Sequence, residues 1–206
     1  MTKQTLLIFV KNPRPGKVKT RLAATVGDDK AMAVYQLLLA ETQRITRPLA
    51  VQKVVCYTDF ADEEDQWVRP VFDKWLQEPG DLGARMQGAF ARAFAEGSER
   101  VLIIGSDCYQ LSTEIIEAAF AALASADLVI GPSADGGYYL LGMKQLQPAL
   151  FEGIAWSTAS VRAETLAKAT VLGLEAKELP VLRDVDHEED LVTIPDLEAK
   201  LSRRSL

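Results

Sequence analysis

Arg100 to Leu111, RVLIIGSDCYQL, is the stretch from which the fold can be read. Val101, Leu102, Ile103 and Ile104 form a short apolar run. Gly105 and Ser106 interrupt it, and Asp107 follows at once. An apolar run of this length, closed by a turn signal, predicts a buried central strand. The acid just beyond it is then expected at the carboxyl rim of a sheet, where open α/β sheets bind ligands.

The same pattern repeats outward from this strand. Thr5–Val10, TLLIFV, predicts a first buried strand, and KNPRPGKVKTRL (Lys11–Leu22) a loop, because Pro13, Pro15 and Gly16 oppose regular structure. Ala31, Val34, Tyr35, Leu38, Thr42 and Ile45 recur at helical spacing, so a helix is expected over 28–47, capped by Asp28 or Asp29 and closed by Pro48. A second strand is expected over 51–58 and a short one near Trp75–Gln77. Asp81 then caps a helix that ends at Gly97, and Ser112 caps another through about Ala124. Strands at 127–131 and 138–143 flank the loop PSADGG. A short helix at 146–151, a helix at 159–172, an edge strand at 175–179, the loop LRDVDHEED and a helical tail after Pro195 complete the chain.

Alternating strands and helices require crossovers, hence a mainly parallel sheet covered on both faces. Leu128–Met143, two strands joined by a short loop, adds an antiparallel pair and makes the sheet mixed. The 206 residues carry no interdomain linker or repeat, so a single domain over 1–206 is expected.

The hydrophobic fraction of 48% and charged fraction of 25% are those of a soluble globular protein. A net charge of −6 argues against a nucleic-acid partner, and no apolar stretch approaches the ~20 residues of a membrane span. Cys56 and Cys108 fit neither a disulfide framework nor a metal knuckle. No secretory signal is read near Lys3, so a cytoplasmic location is expected.

Three groups of residues can do chemistry. Lys11, Arg14, Lys17, Lys19 and Arg21 cluster in a Pro/Gly-rich loop that opens toward a helix. Such a loop either holds di- or triphosphates or is simply solvated. Asp107, Asp135, Asp184 and Asp186 all fall in loops. Acids there can converge on a hard cation such as Mg²⁺, which takes one or two carboxylates plus phosphate oxygens. Each also has a local reading: Asp135 as a turn former, Asp186 as a helix cap, and Glu188, Glu189 and Asp190 as a solvated helix face. His187 is the single histidine and reads either as a surface residue or as one that approaches the site; the absence of GxSxG and the single histidine argue against a catalytic triad. Cys108 reads as a buried thiol. Trp156 either lines an acceptor pocket or joins the core.

Taken in order, FVKNPRPGKVKTRL, EPGDLGARM, IIGSDCYQL, GPSADGGYYLLGM, IAWST and RDVDHEEDL closely resemble the bacterial radical-SAM/selenodomain-associated transferase family. That family belongs to the GT-A, or nucleotide-diphospho-sugar transferase, superfamily. The resemblance runs from about Leu6 to Leu191. More distantly, the pattern is similar to the guanylyltransferases of molybdenum-cofactor and deazaflavin-cofactor assembly.

The resemblance implies a three-layer α/β/α sandwich with a mostly parallel mixed sheet, a nucleotide donor, and Mg²⁺ or Mn²⁺. It places Lys11, Gly16, Lys17, Asp81, Leu82, Gly83 and Arg85 at the nucleotide. Lys19 and Arg21 are placed at the phosphates in catalysis, with Asp135 on the acceptor side as a catalytic base. Gly136, Gly137 and Trp156 are placed at a small-molecule acceptor, and Asp107 and Asp186 at the metal. Two features depart from the pattern: Tyr109 stands where proline commonly follows the Asp–Cys pair, and Ser106-Asp107-Cys108 holds one acid where sugar transferases often show D-x-D. The single acid resembles the nucleotidyl-transferring branch. The expected activity is therefore nucleotidyl transfer from a nucleoside triphosphate to a phosphate or hydroxyl acceptor. Glycosyl transfer from a nucleotide-diphosphate sugar is the alternative, and a non-catalytic nucleotide-binding role the third reading.

Overall fold

The structure is a computed structural model describing residues 2–203; Met1 and residues 204–206, the extreme ends of the expected 1–206 domain, lie outside the described residues. Among the described residues one seven-stranded sheet is built from β1 (Gln4–Val10), β2 (Gln52–Tyr57), β3 (Asp73–Leu76), β4 (Arg100–Ile104), β5 (Leu128–Pro132), β6 (Tyr138–Met143) and β7 (Ala176–Glu178). The strand order is β3-β2-β1-β4-β6-β5-β7. β6 runs antiparallel to both neighbours, and all other pairs are parallel. The helices are α1 (Thr20–Val26), α2 (Asp28–Thr46), α3 (Leu82–Ala95), α4 (Thr113–Ala122), α5 (Val161–Val171) and α6 (Leu197–Ser202).

Alternation along the strands produces the layers. Leu6, Ile8 and Val10 of β1 pack on one face with Tyr35 and Leu39 of α2 and with Ile116 and Phe120 of α4. Leu7 points the other way, into a core with Cys56 of β2, Met86 and Phe90 of α3, and Ala169 of α5. Both faces are thus covered, and the fold is the expected three-layer α/β/α sandwich. A third cluster joins Leu22 of α1, Val34 and Leu38 of α2, Val185 and Ile194 beside this sandwich. No described helix is long and apolar enough to cross a membrane.

Some boundaries differ from the sequence expectation. The basic loop ends at Lys19, because burial of Leu22 in the third cluster turns 20–26 into α1. Gly27, at φ 85°, takes the N-cap position of α2, and neither Asp28 nor Asp29 caps it. Both acids stand instead in the first turn, where carboxylates complement the helix dipole. The short helix expected at 146–151 is a single 3₁₀ turn, Pro148–Leu150.

The topology selects a position for ligands. From β1 the chain steps outward to β2 and β3 on one side, then returns to place β4 on the other side of β1. This reversal opens a crevice outside the carboxyl ends of β1 and β4. Lys11 leaves one end and Asp107 follows the other.

Gly142 of β6 pairs with Leu102 of β4 and Val129 of β5. A Cβ there would stand 2.2 Å from Leu102 Cδ2 and 2.7 Å from Val129 Cγ1. Gly142→Ala is therefore expected to destabilise the fold by about 1–3 kcal/mol through overpacking. A melting temperature equal to that of the unsubstituted protein would show that the sheet relaxes around the added methyl.

Candidate active site

At the crevice, Lys19 is the organising side chain. Val18 and Lys19 are buried at the end of the basic loop, and Lys19 occupies the left-handed region at φ 49° just before α1. A non-glycine residue is strained there and persists only when its surroundings hold it. Here two ion pairs do so: Lys19 Nζ lies 2.7 Å from Asp107 Oδ1 and 3.1 Å from Asp186 Oδ1. Burial opposes the ammonium charge, but Asp107 and Asp186 outweigh it and raise its pKa above the ordinary lysine value. Arg21, more exposed, approaches Asp186 Oδ2 at 3.4 Å.

The two acids reach this point from distant parts of the chain. Asp107 follows β4, and its carbonyl accepts the Val185 N–H at 2.9 Å, tying the late loop to the strand end. Gln110 Oε1 accepts the Arg183 N–H at 2.9 Å. Asp190 then shapes the turn: its carboxylate accepts the N–H groups of Asp186 and His187 and the Arg183 guanidinium, at 2.8–3.1 Å. Burial acts against that carboxylate, but the donors from His187, Asp186 and Arg183 hold it below the usual range. Asp190 is therefore a buried brace where the sequence suggested a solvated face, and Asp186 serves Lys19 rather than capping a helix. His187 is exposed, as its surface reading had it.

Asp184 stands beside them, its Oδ2 accepting from Ser133 Oγ at 3.0 Å. Burial, and next the Asp107 carboxylate, push its carboxyl up to about 7. Leu182 joins Ser133 in a parallel bridge, which ties the loops after β5 and β7 together. Tyr35 of α2 clamps the start of the basic loop, its hydroxyl accepting the Lys11 N–H and donating to the Lys11 carbonyl, both at 2.9 Å. Burial and then Asp107 raise its hydroxyl to about 12, so it remains protonated. The Cys108 thiol is likewise pushed up to about 12, by burial and then Asp184, and is inert.

These groups face one cavity of about 640 Å³. Lys11, Lys19, Arg21, Asp81, Leu82, Arg85, Asp107, Asp135, Gly137, Trp156 and Asp186 all line it. Asp81 caps α3 by accepting the Ala84 N–H at 2.8 Å, and Arg85 Nε donates to the Gly80 carbonyl at 2.8 Å. Asp135 accepts the Gly137 N–H at 2.9 Å in an Asx turn. Trp156 lines the cavity and also stacks on Phe151 at 6.3 Å.

Four residues assigned to ligands from the sequence do not line this cavity. Gly16 and Lys17 form an exposed turn, closed by Lys17 N–H to the Arg14 carbonyl, that faces outward. Gly83 is buried beneath Trp156, where a Cβ would stand 2.3 Å from Nε1. Gly136, at φ 93°, lies against the Ala159 carbonyl, 2.1 Å from where its Cβ would be. Both glycines allow close packing of backbone against a neighbour. Tyr109 leaves the site altogether: its ring packs in the third cluster under the Lys200 ammonium, anchoring the Asp107 loop to α6.

The sequence groups Asp184 with the candidate acids and reads Asp190 as a solvated face, and it assigns no role in the site to Ser133 or Tyr35. The acids of RDVDHEED carried a signal, two aspartates with one residue between them, but Tyr35 looked like any core position of α2. Among the described residues no three His, Cys, Asp or Glu side chains form a ready-made metal cage. Asp107 and Asp186 are nonetheless hard oxygen donors, partly exposed to the cavity, and the point on which their Oδ1 atoms converge is held by the Lys19 ammonium. A pair suffices for Mg²⁺ or Mn²⁺ when substrate phosphates complete the shell, so the residues fit such an ion.

Known proteins resemble this chain at two levels. A protein of Desulfovibrio desulfuricans G20, provisionally described as a nucleotide-diphospho-sugar transferase, is 33% identical over 100% of this chain and 96% of its own, with a TM-score of 0.88. The 4-diphosphocytidyl-2C-methyl-D-erythritol synthase of Anaerococcus prevotii DSM 20548 is 12% identical over 98% and 97% of the two chains, at TM-score 0.59. Rv0371c of Mycobacterium tuberculosis H37Rv, in complex with manganese, is 14% identical over 96% and 100%, at TM-score 0.54. The latter two share the fold alone, which is of the nucleotide-diphospho-sugar transferase, or GT-A, type. No protein of curated function matches the sequence. Residues 40–158 match the profile of DUF2064, described as uncharacterized proteins conserved in bacteria, and the chain belongs to that family.

Proposed function

We propose that this chain is a single-domain cytoplasmic transferase, dependent on Mg²⁺ or Mn²⁺, that moves a nucleotidyl group from a nucleoside triphosphate to a small phosphorylated or hydroxyl acceptor. The observation that carries this reading is Lys19, a buried ammonium shared by Asp107 and Asp186 on the floor of a cavity at the sheet's switch point. Such a cluster of fixed charges suits phosphate chemistry, in which positioning and electrostatics dominate. The description of the Desulfovibrio relative favours a nucleotide donor. Two free thiols, Cys56 and Cys108, suit a reducing compartment. The link to radical-SAM-associated transferases rests on the order of the sequence motifs.

In this mechanism an acceptor oxygen attacks the α-phosphorus, and the bond to the departing pyrophosphate breaks. Arg21, Lys11 and Arg85 line the cavity and neutralise the phosphate chain. Lys19 is held by its carboxylates, so it fixes their spacing and adds a positive potential at the reacting phosphate. Asp135 keeps one carboxylate oxygen outside its Asx turn to accept the proton of a hydroxyl acceptor. Asp107 and Asp186 would hold the divalent ion, whose chemistry is to neutralise phosphate oxygens. The loops around Trp156 and Gly137 would hold the acceptor. Glycosyl transfer from a nucleotide-diphosphate sugar is the second reading, favoured by the Desulfovibrio relative's description; the lone acid of Ser106-Asp107-Cys108 favours the first.

Incubation with Mg²⁺, each nucleoside triphosphate or nucleotide sugar, and cell extract as acceptor source separates the two. Pyrophosphate release is expected, and nucleoside diphosphate release would move the assignment to glycosyl transfer. EDTA should abolish turnover, and added Mg²⁺ or Mn²⁺ should restore it; activity that persists after chelation removes the metal from the mechanism. Asp107→Asn retains an acceptor for Lys19 and should fold, yet lower metal-dependent turnover by about a hundredfold or more. Full activity in that variant would sink the site. Asp190→Ala, which strips three donors of their partner, should destabilise the protein by about 1–3 kcal/mol. It should also lower kcat/KM through the loosened Asp186 turn, and an unchanged kcat/KM would separate that brace from the site.

A further inference from the structure

A second cavity, of about 400 Å³, lies on the α2 face of the sheet. Val10 and Lys11 form one wall, Leu39 of α2 another, and Tyr57, Gln66 and Trp67 the third. Its size falls within the range of small-molecule sites. The walls are held from within the fold. Asn12 is buried and ties the basic loop to the segment after β2, its Nδ2 donating to the Phe60 carbonyl and its Oδ1 accepting the Asp59 N–H, both at 3.0 Å. Gln43 of α2 donates through its side chain to the Gln66 carbonyl. Trp67 packs edge-on against Phe72, with ring centroids 5.0 Å apart.

The polar groups on these walls differ in what they can still bind. The Asp65 carboxylate, also on the wall, is engaged: it accepts from the Tyr57 hydroxyl at 2.6 Å, from Lys74 Nζ at 2.8 Å and from the Trp67 N–H at 2.9 Å. It has little left to offer a cation. Gln66 Nε2 is the opposite case, a buried donor that bonds to nothing in the fold. A buried donor without an acceptor opposes folding, so this position asks for an acceptor from outside the chain. Lys11 lines this cavity as well as the one at the strand ends. Tyr35 holds its backbone, while its ammonium forms no ion pair among the described residues. Both open groups are donors, one of them charged, and the surfaces of Val10, Leu39, Tyr57 and Trp67 around them are apolar. We propose that this cavity is a second ligand site, which takes a small molecule with an apolar body and a carboxylate. Gln66 Nε2 donates to that carboxylate, and Lys11 supplies the opposing charge. The site stands apart from the nucleotide reading and does not depend on it.

The test is calorimetry with phenylacetate, indole-3-acetate and octanoate, each beside its uncharged primary amide. At least one acid should bind, and its amide about tenfold more weakly, since a charged acceptor makes the stronger hydrogen bond and meets Lys11. Gln66→Leu should weaken that acid about tenfold, and Gln66→Glu, which sets a like charge against it, at least as much. The Gln66 amide donates to nothing in the fold, so Gln66→Leu should melt no lower than the intact protein. In amide NMR spectra the Gln66 side-chain NH₂ pair, identified by its loss in both variants, should move as the acid is added. No binding by any of the three acids overturns the proposal. Equal affinity for acid and amide overturns the carboxylate assignment. Binding that leaves the NH₂ pair in place and survives both substitutions belongs to another site, such as Arg21 and Arg85, and overturns the proposal too. A lower melting temperature in Gln66→Leu shows that the amide has a partner in the fold, and removes the observation on which the site stands.

Discussion

A buried ammonium between two carboxylates is the constraint on which the rest of the site depends. The Lys19 side chain is only 3% exposed, whereas those of Asp107 and Asp186 are 45% and 33% exposed. Taking a lysine out of water costs several kcal/mol unless charge and hydrogen bonds replace the lost solvent. Two carboxylates supply both, and in doing so they hold a left-handed backbone at Lys19 and start α1 at Thr20. The anionic side of the cluster keeps contact with the cavity. Lys19 is therefore better suited to setting the spacing of the acids than to following a ligand, and Arg21, at 60% exposed, is the more accessible cation.

The reversal of strand order around β1 and β4 makes this cluster possible. β1 and β4 are adjacent, so the basic loop after one and the acid after the other leave the sheet side by side. The late loop is then fastened to both neighbourhoods, through Val185 to the Asp107 carbonyl and through Leu182 to Ser133. Asp190 stiffens the turn between them. Tyr109, just after the Asp–Cys pair, packs under Lys200 in the third cluster and ties the loop to α6. The same sheet divides the cavity into two flanks, one beside β1–β3 and one beside β5–β6, with the charges between.

Much of this is legible in the residues because it is local. The run Val101–Ile104 and the acid after it read as strand and rim, and they are strand and rim. Tyr138–Met143 pairs antiparallel with Leu128–Pro132 because a short loop permits nothing longer. Asp81 and Ser112 cap as their positions suggest. Other features mislead for equally physical reasons. Gly16 and Lys17 look like a phosphate loop by composition, but composition carries no direction, and their exposed turn does not line the cavity. Gly83 and Gly136 look like room for a ligand; the space each leaves is filled by Trp156 and by the Ala159 carbonyl.

The sequence by itself determined the order of strands and helices, the layering, and which side chains stand at strand ends, since apolar periodicity and turn chemistry act over a few residues. Only the tertiary structure decided which of those side chains meet. Lys19 and Asp186 are 167 positions apart, and Gln77, after β3, reaches across the end of β2 to Val10 of β1. Asp184 becomes a half-buried acid beside Asp107, and Asp190 a buried brace rather than a solvated face. Burial, shared hydrogen bonds and charge pairing depend on neighbours brought together by the sheet, and no spacing along the chain encodes them.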